Sequence, residues 1–126
     1  MSLVLDAGAL IAVERGDRET IALIKHELLE GRAPLTHGAI VGQVWRGGSG
    51  RQVNLARLLP GIEIVALDEA VGRRAGVLLG RARLQDVVDA ALVLLAVDGD
   101  VLVTSDAADL EPLAAAAGLH VDIVPV

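Results

Sequence analysis

Short apolar runs recur along the chain. Between them lie segments in which apolar residues have helical spacing, and polar residues separate each run from the segment that follows. Runs rich in valine, isoleucine and leucine favour buried strands, because branched side chains pack well on the surface of a sheet. Five runs are predicted as strands: residues 2–5, 34–36, 62–67, 101–104 and 121–126.

The segments between these runs are predicted as helices. Asp17 is a suitable N-cap for a helix that ends at Gly31, and Asp68 is a suitable N-cap for a later one. The other predicted helices are residues 9–13, 39–45, 53–59, a segment from Asp86 to near Asp98, and 112–117. Strands that alternate with helices predict an α/β protein with a parallel sheet covered on both faces.

Composition limits the kind of core and the kind of site. The chain has 126 residues, 53% of them hydrophobic, with a single Trp and neither Phe nor Tyr, so an aliphatic core is expected. This length suits one domain, taken as residues 1–126. Cysteine is absent, which excludes disulfides and thiolate zinc sites.

No membrane segment is expected. The most apolar helix candidate, residues 87–97, has about half the length of a membrane span and is interrupted by Asp89. The N-terminus has no basic region before its apolar stretch, which is atypical of a signal peptide. We therefore expect a cytoplasmic protein.

Charge is unevenly distributed, although the net charge is only −6. Residues 31–84 carry eight arginines and three acids, whereas residues 85–126 carry eight acids and no lysine or arginine. An acidic cluster beside an arginine-rich segment suits a metal site that handles a polyanion, and ordinary surface charge explains the pattern equally well.

Acidic residues stand where strands or helices begin and end. Asp6 ends the first predicted strand and Asp106 follows the fourth, while Asp86 and Asp89 share one face of a helix start. Ligand sites form beyond the carboxyl ends of parallel strands, and a few carboxylates suit Mg²⁺. Structural roles remain open: helix capping for Asp86 and Asp106, a buried salt bridge or a role as cap partner for Asp89, and backbone hydrogen bonds for Asp6.

Three motifs in this order resemble the PIN-domain family, specifically the VapC-type toxin ribonucleases of type II toxin–antitoxin pairs. The resemblance covers nearly the whole chain. The matching segments are Leu3-Val4-Leu5-Asp6-Ala7-Gly8, Asp86-Val87-Val88-Asp89-Ala90-Ala91 and Val103-Thr104-Ser105-Asp106-Ala107-Ala108-Asp109-Leu110.

The resemblance implies a three-layer α/β/α fold with a mostly parallel sheet, and an Mg²⁺- or Mn²⁺-dependent endoribonuclease. It implies metal ligation by Asp6, Asp89 and Asp106, with Asp86 as an adjacent extra ligand, and catalytic roles for the first three. Thr104 or Ser105 would orient a water. The implied partners are an RNA substrate, a cognate antitoxin and a second copy of the chain in a homodimer.

Two positions depart from the family pattern. Gln43 stands where the family usually has glutamate, so this fourth catalytic position is neutral, although an amide oxygen can still ligate a metal. Gly8 stands where serine or threonine is common, which removes a hydroxyl near the metal.

Arginines near Gln43 are candidates for phosphate contacts. Arg46 and Arg51 are the expected RNA-binding residues, and solvated surface arginines are the alternative. The three histidines, at positions 26, 37 and 120, are scattered without metal-ligand spacing and are expected at the surface or as caps.

Two other functions compete with that of a nuclease. A receiver-like phosphoacceptor domain would need a lysine after a late strand, and the sole lysine is Lys25 in an early helix. A non-catalytic PIN fold that binds only an antitoxin or RNA remains the alternative, because Gln43 is neutral.

Overall fold

The computed structural model describes residues 1–48 and 50–126, and within them a five-stranded parallel sheet forms the centre. The strand order is β3-β2-β1-β4-β5, with helices on both faces, which confirms the predicted α/β fold. The strands are β1 (Leu3–Leu5), β2 (Leu35–His37), β3 (Glu63–Val65), β4 (Val101–Thr104) and β5 (Asp122–Pro125).

Four helices lie between β1 and β3 and contact one another around the first of them. Asp17 caps the second through Thr20 N, as the sequence predicts. They are α1 (Ala7–Glu14), α2 (Arg18–Leu29), α3 (Gly38–Val44) and α4 (Val53–Leu58), with 3₁₀ turns at Gly50–Gln52 and Leu59–Gly61.

Three helices in the second half of the chain pack on each other. They are α5 (Glu69–Ala82), α6 (Val87–Val93) and α7 (Ala107–Ala116). Asp68 caps α5 through the backbone N–H of Val71, again as predicted. The buried side of α6, residues Ala90 to Val93, joins the aliphatic core around β1 and β4.

The direction of the chain across the sheet reverses once, and this determines where a cleft forms. From β1 the chain moves through β2 to β3 at one edge, then crosses to β4 on the other side of β1 and continues to β5. The loops after β1 and β4 therefore leave the sheet toward opposite faces. In parallel α/β sheets, ligands bind at this switch point.

Three predicted helix boundaries were wrong. Helix α1 begins at Ala7 rather than residue 9, because the Asp6 side chain accepts a hydrogen bond from Ala9 N and caps it. Helix α6 ends at Val93, well before Asp98. Helix α7 runs continuously from residue 107 through Pro112. Its buried residues Leu110, Leu113 and Ala114 have helical spacing on both sides of the proline, and their burial offsets the lost hydrogen bond.

Across the described ranges 1–48 and 50–126, none of the helices combines the length and the apolar character that a membrane crossing requires.

Candidate active site

The carboxyl ends of β1 and β4 lie side by side and carry the first and last acidic motifs. Leu5 pairs with Val103 in the parallel register, and the backbone N–H of Asp6 donates to Val103 O at 3.1 Å. Asp6 leaves β1 to begin α1, while Ser105 and Asp106 leave β4 to begin α7. Two acidic residues 100 positions apart are thereby placed at the switch point of the sheet.

Asp6 is fixed by two hydrogen bonds and is only 8% exposed. One carboxylate oxygen, Oδ1, accepts from Ala9 N at 2.9 Å, and the other, Oδ2, accepts from the Thr104 hydroxyl. The structural role foreseen for Asp6, hydrogen bonding to nearby backbone, is thus present. It does not exclude ligation, because each carboxylate oxygen has a second lone pair.

The Thr104 hydroxyl links the two acidic motifs. It donates to Asp6 Oδ2 and accepts the backbone N–H of Asp106 at 2.8 Å, and Thr104 is fully buried. This bond occupies the backbone N–H at the start of α7. The Asp106 side chain makes no capping hydrogen bond, so helix capping does not explain this residue.

The start of α6 contributes the second pair of acids. Asp86 caps the helix, with Oδ1 accepting from Asp89 N at 3.1 Å, so its predicted structural role is present. Asp89 lies in the first turn and is partly buried. Its backbone N–H is the donor to the Asp86 cap, so the cap-partner role predicted for it is present, whereas Asp89 is not among the ion pairs of the described residues.

All four predicted acids border one cavity of about 220 Å³, and Gln43 of α3 lines the same cavity. A fifth acid, Asp109, lies on its wall and was not predicted as a site residue. The sequence does contain an indication of Asp109, because Asp106 and Asp109 at the start of α7 have the same three-residue spacing as Asp86 and Asp89. Remaining wall positions include Ala7, Gly8, Ile40, Ser105 and Leu110.

The titration of Asp89 reflects this crowding of carboxylates. Burial raises the pKa of Asp89 to about 6, and the negative charges of Asp86, Asp109, Asp6 and Asp106 add to the effect. A hydrogen bond to Asp106, together with its charge, likewise raises the pKa of Asp109. Both ion pairs found among the described residues, Arg32–Glu27 and Arg73–Glu69, lie outside the cavity, so neither neutralises these acids.

His37, expected at the surface or as a cap, is instead buried beneath the site. Its Nε2 lies 2.9 Å from Val88 O, and Nε2 must donate because a carbonyl oxygen only accepts. Burial lowers the pKa of His37, which favours the neutral ring. The ring therefore ties the end of β2 to the first turn of α6, next to Asp89. Sequence spacing gave no signal for this role.

Gly8 and Ser105 share one small space on the cavity wall. A Cβ at Gly8 would lie 2.0 Å from Ser105 Oγ and 2.9 Å from Ser105 N, so no side chain fits there. The hydroxyl missing from position 8 relative to the family pattern is thus replaced in space by the Ser105 side chain.

The two predicted RNA-binding arginines do not line the acidic cavity. Arg46 and Arg51 line a neighbouring cavity of about 390 Å³, and Gln43 borders both cavities. The Arg46 guanidinium also donates to the carbonyl oxygens of Gly42, Gln43 and Trp45 at the end of α3. Arg46 therefore has a structural role alongside the one predicted for it.

The acidic cavity suits a hard divalent cation in its chemistry. Its polar side chains offer carboxylate, amide and hydroxyl oxygens, the donors that Mg²⁺ and Mn²⁺ prefer. Within residues 1–48 and 50–126, however, no three His, Asp or Glu side chains are already arranged around a common ion position. One carboxylate oxygen of Asp86 and one of Asp6 accept helix N–H groups, and a cation would use the lone pairs that these bonds leave open.

No protein-family model matches this chain, and no curated protein matches it. The parallel order β3-β2-β1-β4-β5, with helices on both faces, is consistent with the topology of PIN-like domains.

Proposed function

We propose that this protein is a divalent-metal-dependent endoribonuclease whose active site is the acidic cavity. One observation carries the proposal: five aspartates from three chain segments line one cavity at the switch point of a parallel sheet. Burial and mutual repulsion raise the pKa of Asp89 to about 6, and carboxylates perturbed in this way are typical of functional sites. A bound cation relieves that repulsion.

Asp6, Asp89 and Asp106 would hold the ion, with Asp86 next to them and Gln43 contributing an amide oxygen. When bound, Mg²⁺ or Mn²⁺ would supply positive charge that stabilises the phosphoryl group during hydrolysis. An anionic RNA backbone would otherwise be repelled by the cavity, since none of its described lining residues is Arg or Lys.

The surrounding residues position the acids. Thr104 holds both Asp6 Oδ2 and the Asp106 backbone N–H, so one side chain links the two acidic motifs. His37 fixes the first turn of α6 and therefore the location of Asp89. Ser105 offers a hydroxyl on the cavity wall that orients a water or a phosphate oxygen.

Cleavage of RNA by the purified protein tests the proposal. Mixed structured RNAs are incubated with Mg²⁺, Mn²⁺ or EDTA, and the new ends are mapped. We expect cleavage only with a divalent ion and its loss in Asp89→Asn. Asp122→Asn, an exposed aspartate on β5, is the matched control with the same change in charge. Cleavage that is unaffected by EDTA, or equal in the two variants, contradicts the proposal.

The neutral Gln43 and the unassembled ligand set favour one second candidate, a PIN-like module that binds RNA or an antitoxin without cleaving. The same experiment separates the two functions. Retained RNA binding with no divalent-dependent cleavage supports the binding module, whereas divalent-dependent ends support the nuclease.

The family resemblance extends the proposal to a biological setting, a toxin that acts as a homodimer and is held by a cognate antitoxin. Expression of the chain alone in a bacterial host should then arrest growth, and Asp89→Asn should not. Light scattering of the purified protein measures the number of copies. If the purified protein is a monomer and its expression leaves growth unaffected, this biological setting is contradicted, while the proposal of cleavage in vitro is not affected.

A further inference from the structure

A second cavity adjoins the acidic one and has the opposite charge. Its volume is about 390 Å³, and Gln43 stands on the boundary because it lines both. Arg15, Arg46 and Arg51 line this cavity, and Glu14 is the acidic residue among its described lining positions. We refer to it as the arginine cavity.

Helix α1 forms a wall common to the two cavities. Ala7 and Gly8, in its first turn, line the acidic cavity, whereas Ile11, Glu14 and Arg15 line the arginine cavity. The eight residues of α1 correspond to about 12 Å at the usual helical rise. An extended nucleic-acid strand whose scissile phosphate lies over the acids therefore has neighbouring phosphates within reach of these arginines.

Buried hydrogen bonds shape the arginine cavity. Gln52 is 5% exposed, and its Oε1 accepts the backbone N–H groups of Arg46 and Gly47. Its Nε2 donates to Val44 O and to Glu14 Oε1. The loop that carries Arg46 is thus bound to the end of α1, and Glu14, occupied by Gln52, forms no ion pair with a described arginine.

Arg15 is exposed and directly follows α1. Its side chain makes no ion pair and no hydrogen bond with any residue in the described part of the chain. Arg46, in contrast, directs three guanidinium hydrogen bonds at the end of α3 and retains further N–H donors. Arginine forks match the geometry of phosphate oxygens.

We propose that the arginine cavity binds backbone phosphates of single-stranded RNA on one side of the scissile bond, with Arg15 as the principal contact. This inference rests on the proposed ribonuclease function. It also predicts the path of the RNA strand, which would run from the acidic cavity past Gln43 and along α1 into the arginine cavity. It also names Arg15, which lies outside the arginine-rich part of the sequence.

Binding and cleavage are measured separately with the full-length protein. Fluorescence anisotropy with a labelled single-stranded RNA in EDTA reports binding over a range of ionic strengths, without requiring cleavage. Steady-state cleavage with Mn²⁺ then reports KM and kcat. The variants are Arg15→Gln, Arg15→Lys and the control Arg81→Gln, an exposed arginine in a cavity formed by α5, α6 and α7.

We expect Arg15→Gln to weaken RNA binding several-fold and to reduce the slope of log affinity against log salt by about 0.7, the value for one lost single-strand phosphate contact. Arg15→Lys should keep most of the affinity, and Arg81→Gln should behave as wild type. In cleavage, Arg15→Gln should raise KM and leave kcat nearly unchanged.

Several results would overturn the assignment. Equal losses in Arg15→Gln and Arg81→Gln would mean that only net charge matters. Unchanged RNA binding in Arg15→Gln, with weakened binding of a protein partner, would make the cavity a protein-docking site. The two proposals fail independently: cleavage without any effect of Arg15 refutes the phosphate site, and Arg15-dependent binding without cleavage refutes the nuclease.

Discussion

The side chain of Ser105 occupies the space that a side chain at Gly8 would need, with Ser105 Oγ 2.0 Å and Ser105 Cβ 2.4 Å from the ideal Cβ position. Because Gly8 lies in the first turn of α1 and Ser105 follows β4, this contact sets how closely the two motif-bearing segments approach each other. A side chain at position 8 therefore cannot be accommodated unless Ser105 moves.

Gly8→Ala should therefore destabilise the protein. Forcing a methyl group into a packed site costs about 1–3 kcal/mol, and the backbone nitrogen of Ser105, 2.9 Å away, prevents simple relief by rotation. Chemical denaturation measures the change in the free energy of unfolding, and Ser105→Gly should restore part of the loss in the double variant.

Gly76→Ala is the matched control, because nothing lies within 4 Å of a Cβ at this exposed position of α5. Alanine has the higher helix propensity, so this variant should be as stable as wild type or more so. If Gly8→Ala and Gly76→Ala change the free energy of unfolding equally, the claim that Ser105 leaves no room for a side chain at position 8 is contradicted.

Thr104→Val should loosen the link between Asp6 and Asp106. It removes the hydroxyl that serves both and leaves a buried carboxylate oxygen and a backbone N–H without that partner, a loss of about 1–3 kcal/mol in unfolding free energy. Thr104→Ser keeps the hydroxyl and should retain most of the stability. If Thr104→Val and Thr104→Ser are equally stable, the hydroxyl does not perform this linking role.

The pKa of Asp89 predicts a pH dependence of stability in EDTA. The pKa is about 6 in the folded protein against an ordinary value of 3.8 for an aspartate, so the folded state binds more protons between these values. The contribution of Asp89 to stability is greatest below the lower value and is lost as pH rises through about 6. Asp89→Asn should therefore gain stability relative to wild type as pH increases across that window.

Denaturant titrations of wild type and Asp89→Asn at several pH values provide the measurement, with Asp122→Asn as the control. The difference between Asp89→Asn and wild type should widen with rising pH, and that between Asp122→Asn and wild type should not. A constant difference for Asp89→Asn would show that Asp89 lies outside the repulsive cluster.

The sequence predicted all five strands and the convergence of Asp6, Asp86, Asp89 and Asp106, because strand-end positions in an alternating α/β chain imply their location. It could not show that Asp86 and Asp6 also cap helices, since capping and ligation favour the same residue type at the same place. Local pattern does not separate the two roles.

The residues that support the site were harder to predict. His37, Thr104 and Gln52 act through contacts with residues that are distant in sequence or belong to another element. Such contacts depend on tertiary packing, for which periodicity carries no information. The prediction that a helix begins at Pro112 was wrong for a related reason. Burial of Leu110 and Leu113 outweighs the local preference of proline for a helix start, so Pro112 lies inside α7.

Gln43→Glu should strengthen metal binding. Gln43 lines the acidic cavity, and a carboxylate there would add one negative charge near the ion, about 1–2 kcal/mol or roughly tenfold in affinity at a partly exposed site. Asn54→Asp, on exposed α4, adds the same charge away from the cavity and is the control. Equal Mn²⁺ affinities for Gln43→Glu and Asn54→Asp would remove Gln43 from the site.

Calorimetric titration of Mn²⁺ into the wild-type protein, Asp89→Asn and Asp122→Asn tests most directly whether the acidic cavity holds a divalent cation. The account predicts saturable binding by wild type and Asp122→Asn, with affinity reduced at least about tenfold in Asp89→Asn, where a ligand charge is lost. The absence of binding by wild type, or equal affinity in all three proteins, would contradict a metal-dependent function at this cavity.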